Sequence, residues 1–173
     1  MTRQLQTYLV LVLAMASTRP CRSQAGAAQP TRVAAEGDSM LSVSLGGQVV
    51  RVTVSTAKVD IGKPGQSPPR VQKTNCTYSR YPCSQVTNLS ITRAGKELIV
   101  PRSVFADLAD IGTMVLEGVG AANVLTLYGG DGSEGYKVRV VFDTGRVKKR
   151  EVYASEANAL LETTTYMPPP VLN

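Results

Sequence analysis

The chain has no histidine among its 173 residues. Without an imidazole, neither a Ser-His-Asp nor a Cys-His nucleophilic device can be assembled. The side chain that most catalytic zinc sites rely on is missing as well. No P-loop occurs, and no GxGxxG sits at a strand–helix junction. Cysteine is scarce: Cys21, Cys76 and Cys83 are the only 3. No internal repeat is visible. Beyond the N-terminus, no apolar run approaches the roughly 18 residues that a membrane helix needs. The reading therefore includes no cofactor, no metal, no assigned catalytic residue and no transmembrane segment after the leader.

What is present at the N-terminus reads as a secretory signal over residues 1–25. Arg3 supplies the positive start, and an apolar run extends from Tyr8 to Ala16. That run is too short to span a bilayer. Small-residue cleavage options are Ala14-Met15-Ala16, Ser23-Gln24-Ala25 and Ala25-Gly26-Ala27. Arg3, Arg19 and Arg22 lie in this leader, so its removal lowers the formal charge from +6 to +3. A mildly basic domain gives no reason to expect a specific nucleic-acid partner, which calls for a clustered basic face. Cleavage near Ala25 also removes Cys21 and leaves an even pair. Lipidation of Cys21 is a competing fate, but Thr18-Arg19-Pro20 before it is not a small apolar run. In an oxidising compartment Cys76 and Cys83 are expected to form a disulfide.

The mature chain reads as all-β: an antiparallel sandwich, barrel or meander of about eight strands with one or two short helices. Residues 26–37 form a flexible lead-in, 38–162 a single β-rich domain, and 163–173 an extended tail containing Pro168-Pro169-Pro170. A first hairpin runs from Met40 to Leu45 and from Gln48 to Ser55, joined by Gly46-Gly47. Paired glycines supply the positive φ that a two-residue turn requires. Val50, Val52 and Val54 alternate with Arg51 and Thr53, the period of a half-buried strand. Residues 60–74 are too rich in proline and glycine for a ladder and form a loop. Val86 to Arg93 and Lys96 to Val100 bracket Ala94-Gly95. Thr113 to Glu117 and Asn123 to Tyr128 bracket another turn. The clearest strand is Tyr136 to Asp143, and Arg146 to Ala154 returns after Thr144-Gly145. Ser103 is expected to cap a short helix from Val104 to about Asp110, and Ser155 another through Glu162.

Four groups of residues carry possible chemistry. Tyr78, Arg80 and Tyr81 sit inside the expected disulfide loop, and tyrosine and arginine are favoured at contact surfaces. Asp131, Ser133 and Glu134 lie in the run Gly129 to Gly135 and offer hard oxygens to a ligand or cation. A glycine-rich hairpin loop is the simpler account of that run. Lys137, Arg139, Lys148, Lys149 and Arg150 line the last hairpin. If the register aligns them, they form a strip suited to an anionic polymer or acidic partner. A charged, solvated sheet face is the plainer alternative. Finally, Asp131 with Glu134, or Asp107 with Asp110, could act as paired carboxylates of a glycosidase type. Asn75-Cys76-Thr77 and Asn88-Leu89-Ser90 match the glycosylation acceptor, which matters only in a eukaryotic source.

The run ELIVPRSVFADLADIG, followed by LTLYGGDGSEGYKVRVVFDTGRVKKREVY, is similar to a group of uncharacterised exported bacterial β-rich proteins. The similarity covers about residues 87–153. It implies a bacterial envelope or secreted location and brings no activity, catalytic residue or ligand residue with it. The expectation is a secreted or periplasmic, non-enzymatic binding or accessory module acting on an envelope or secreted protein or an anionic polymer. One rival is an inhibitor of a secreted hydrolase, a basic lysozyme being disfavoured by charge. The other is a glycan-acting enzyme with two carboxylates.

Overall fold

Val50, Val52 and Val54 lie fully buried on one face of a 12-residue strand, as their alternation requires. This face is half of a hydrophobic layer between two antiparallel sheets. A computed structural model describes residues 29–62, 75–78 and 80–168. The expected leader, Cys21, most of the proline-rich loop and the end of the tail lie outside the described residues.

In chain order the strands are β1 (Thr31–Arg32), β2 (Gly37–Leu45), β3 (Gln48–Val59), β4 (Cys83–Arg93) and β5 (Lys96–Glu97). They continue as β6 (Ile111–Val119), β7 (Ala122–Gly129), β8 (Tyr136–Phe142), β9 (Val147–Ala154) and β10 (Leu160–Thr165). One sheet has the order β1-β6-β7-β8-β9-β10, and the other β2-β3-β4-β5. The sheets do not close into a barrel. The only helical pieces among the described residues are 3-10 turns at Arg102–Val104 and Gly132–Glu134.

Local chemistry explains most of these elements. Gly46 and Gly47 both have positive φ, and Leu45 pairs directly with Gln48. That is the two-residue turn whose twist matches a right-handed strand pair. Ala94 and Gly95 repeat the arrangement between Arg93 and Lys96. At the β8–β9 turn, Asp143 Oδ1 accepts the N–H groups of Gly145 (2.9 Å) and Arg146 (3.1 Å). Inside, Ile91, Met114, Leu116, Leu125, Leu127, Val138, Val140 and Phe142 are fully buried. Each such side chain contributes roughly 1.5–3 kcal/mol of burial free energy. A parallel bridge between Ile99 and Arg146 ties the two sheets along one side.

Two expected helices are not formed. Around Val104 there is a single 3-10 turn, entered through Pro101 with no side-chain cap, so Ser103 does not serve as one. The chain turns again through 105–107, with Leu108 N–H on the Phe105 carbonyl, before Ala109 bridges Gln85 of β4. The second expected helix, 155–162, is instead a turn followed by β10, which pairs with β9. A helix this short is unstable alone. The open edge of β9 offers a row of unpaired backbone groups, and Thr163–Thr165 suit an extended chain. The folded body also exceeds 38–162: Thr31–Arg32 pair with β6, and Tyr166 N–H still donates to the Lys148 carbonyl at 2.9 Å.

Candidate functional site

Cys76 and Cys83 are joined by a disulfide, with Cα atoms 5.7 Å apart. Cys83 opens β4 and pairs with Val59 of β3, so the bond fastens the loop to the sheet. The decisive local feature is Asp110. Its side chain is buried, and each carboxylate oxygen accepts a backbone N–H of this loop region. Oδ2 takes Thr77 N–H at 2.8 Å and Oδ1 takes Ser84 N–H at 3.0 Å. Asp110 N–H in turn donates to the Ser84 carbonyl at 2.6 Å. Asp110 has φ +50°, a region that Asp and Asn tolerate better than most side chains.

Tyr136 supports the same corner from β8. Its hydroxyl donates to the Ala109 carbonyl at 2.6 Å and accepts Ala109 N–H at 2.9 Å. Burial pushes its phenol well above the ordinary range, partly opposed by the hydrogen bond to Ala109. Ala109, the residue before Asp110, is thereby locked in place, and the carboxylate with it.

The two loops singled out separately in the sequence come together. Glu134 Oε2 accepts the Tyr78 N–H at 2.7 Å, and Arg80 faces Asp131 at 3.7 Å. Gly130 permits the necessary turn: its φ is +72°, and a Cβ there would collide with the Glu134 carbonyl. The stapled loop is thus held by a disulfide, a buried carboxylate and a second loop. Above that frame Tyr78 and Tyr81 remain 56% and 41% exposed. Clefts flank the loop on both sides. One of about 820 Å³ is lined by Arg32, Arg80, Tyr81 and Pro82 among others. The other, about 470 Å³, lies between Thr77-Tyr78 and Asp131–Glu134.

The remaining groups are placed differently. Asp107 accepts Arg150 Nη2 at 2.5 Å, while Asp110 holds the loop, so these two carboxylates serve separate structural partners. Asp131 and Glu134 are engaged with the stapled loop, and Ser133 lies exposed between them. Among the described residues no three His, Cys, Asp or Glu side chains gather as a metal site.

The cations of the last hairpin do not form one strip. Arg150 turns to the inner face opposite Val140, where Asp107 and Glu162 bind it. Glu151 bridges Arg139 (3.1 Å) and Lys149 (2.6 Å). Lys149 foremost, then Tyr153 and Arg139, hold the Glu151 carboxyl below its usual range. Lys148 bonds Asp143 at 2.8 Å, and with the Gly145 and Arg146 N–H groups draws that carboxyl down to about 2. Lys137 donates to Asn158 and sits over the Tyr153 ring. Asn75 and Asn88 are both exposed.

Sequence reasoning named Asp110 as an acid but not as a clamp, and it did not single out the Tyr136 hydroxyl. An acidic residue within the apolar run ADLADIG was the available signal, since a buried carboxylate must find hydrogen-bond donors. Comparison of the chain with family models, curated proteins and solved structures finds no match. The functional reading accordingly rests on the geometry of this corner.

Proposed function

We propose that this protein is an exported, non-enzymatic binding module whose contact surface is the stapled loop bearing Tyr78, Arg80 and Tyr81. One observation carries the reading. The backbone of the loop is fastened by Cys76–Cys83, Asp110 and Glu134, while Tyr78 and Tyr81 stay partly exposed. A loop fastened at several backbone points loses less entropy on docking than a free one. Tyrosine and arginine deliver much of the energy at protein–protein contacts. The pairing of the last-hairpin cations with carboxylates favours a protein partner over an anionic polymer. Export is supported by the N-terminal pattern and by the disulfide, which persists in oxidising compartments. No helix among the described residues is long and apolar enough to cross a membrane. A secreted or periplasmic partner follows from that location.

The same rigidity favours inhibition of a secreted hydrolase as the second reading, since a preorganised loop suits an active-site cleft. A photo-crosslinking residue at Tyr81, compared with one at exposed Met40, tests the proposal in the secreted and envelope fractions of the source. The expected result is one protein crosslinked from position 81 at physiological salt and none from 40. Equal labelling from both positions would remove the loop as the contact surface.

A further inference from the structure

At the end of the sandwich opposite the disulfide, the inner layer opens into a cleft of about 610 Å³. Its size falls within the range of small-molecule sites. Val43 and Leu45 of β2 and Leu116 of β6 line it, and all three are inward-facing residues of their strands. Gly118 opposite Leu45 keeps the wall thin: a Cβ there would lie 3.6 Å from Leu45 Cδ2.

Of the polar residues that line this cleft, Asn123 and Arg93 lie on the inner faces of opposite sheets. Asn123 of β7 shares the inner face with Leu125 and Leu127 and is only 4% exposed. Its Nδ2 is buried and has no hydrogen-bond partner. A buried amide without a partner is uncommon and costly. Arg93 of β4 lies on the inner face beside Val50, its pairing partner in β3. Its Nε donates to Gln48 Oε1 at 2.7 Å, which fixes the guanidinium, and Nη2 lies beside the Gly46 turn. Both groups are donors, one of them cationic; Val43, Leu45 and Leu116 form the aliphatic part of the walls, and Ser44 and the exposed Glu117 complete the polar lining.

We propose that this cleft binds an aliphatic carboxylate, with the carboxylate taken by Asn123 Nδ2 and the Arg93 guanidinium and the hydrocarbon lying on Val43, Leu45 and Leu116. The carboxylate supplies acceptors for the orphaned amide and a charge for the arginine. The chemistry fits a free aliphatic acid and the C-terminus of a peptide ending in an aliphatic residue alike. The site lies away from the stapled loop, so it stands or falls independently of the proposed contact surface.

The test is thermal unfolding of the protein with octanoate, octanamide and octanol, and with a short peptide ending in leucine as free acid or amide. Octanoate or the free-acid peptide should raise the unfolding temperature in a saturable way, and their uncharged counterparts should not. A response to octanoate alone identifies a free acid as the ligand, and a response to the peptide alone identifies a chain end. Arg93→Met and Asn123→Leu should each weaken binding roughly tenfold or more, the effect of losing a charge-assisted or buried hydrogen bond. Unliganded Asn123→Leu should be at least as stable as the parent, because the orphaned donor is gone. If that variant does not fold, Arg93→Met at the mouth of the cleft decides. No shift with either carboxylate, or a shift that survives Arg93→Met, would overturn the proposal.

Discussion

The Asp110 carboxylate accepts the Thr77 backbone N–H at 2.8 Å, across a sequence separation of 33. One buried acid thus positions the loop that carries the exposed tyrosines. The fold supplies Asp110 from the segment leading into β6, and β4 supplies the second N–H at Ser84. The proposed contact surface inherits its shape from this pairing.

Asp110→Asn should therefore loosen the loop without removing the disulfide. Asn tolerates the positive φ at this position, so the change isolates the loss of the carboxylate. Replacing charge-assisted bonds to two backbone donors should cost about 2–3 kcal/mol. The check is hydrogen exchange: Thr77 and Ser84 amides should be protected in the parent and exchange quickly in the variant.

Tyr136→Phe should cost about 1–3 kcal/mol, because it leaves the Ala109 N–H buried without its partner. The same hydroxyl predicts alkaline behaviour. Burial raises the folded-state pKa of Tyr136, so above the ordinary pKa of 10.0 the unfolded chain loses this proton first. The stabilisation from the neutral phenol is complete below that pH and declines as pH rises further. Denaturant midpoints measured between pH 9 and 11 (roughly the span around a free tyrosine) should fall more steeply in the parent than in Tyr136→Phe.

Acid should act through Asp143 and Glu151. Both folded-state pKa values are depressed, Asp143 to about 2 from 3.8. Their stabilising contribution is present above the unfolded-state carboxylate pKa and lost as pH falls through the folded values. Asp143→Asn and Glu151→Gln should each flatten the decline of the urea midpoint below about pH 4. An unchanged acid limb in the double variant would contradict these assignments.

Arg150 should report on how β10 is held. Its side chain is almost fully buried between Asp107 and Glu162. Asp107→Ala leaves Glu162 in place and should cost about 1–3 kcal/mol, below the loss for a fully buried pair, because the acids are partly exposed. Removing both acids strands a buried guanidinium. In that double variant the amides of Thr163–Thr165 should lose protection before those of β8.

How far the sequence discloses all this depends on whether the signal is local. Gly46-Gly47 and the Val50, Val52, Val54 alternation act within a few residues, and the β2–β3 hairpin follows from them. Cys76 and Cys83 enclose a short loop, so their pairing was also readable. Residues 155–162 combine good helix formers with a serine, yet they fold as a turn and an edge strand. There the open edge of β9 outweighs a weak local propensity, and no neighbouring residue announces it. Arg150 shows the same limit in register. The ladder passes from Val141↔Lys149 to Phe142↔Val147, leaving Lys148 as an inserted residue. That shift turns Arg150 inward, where simple alternation from Val147 would have kept it outside. The contacts of Glu134 with Tyr78 and of Asp131 with Arg80 join loops distant in the chain. Their residues were each visible as polar groups beside glycine or cysteine, but only the strand order brings them together.

If Tyr78, Arg80 and Tyr81 form the contact surface of a binding module, they should govern the affinity, at physiological salt, for the protein crosslinked from position 81. The parent is compared with the triple variant Tyr78→Ser, Arg80→Ser, Tyr81→Ser. Affinity should fall at least about a hundredfold, from truncating contacts worth roughly 1–2 kcal/mol or more each. The urea midpoint should stay close to that of the parent. Undiminished affinity in a folded triple variant would move the contact surface elsewhere on the molecule.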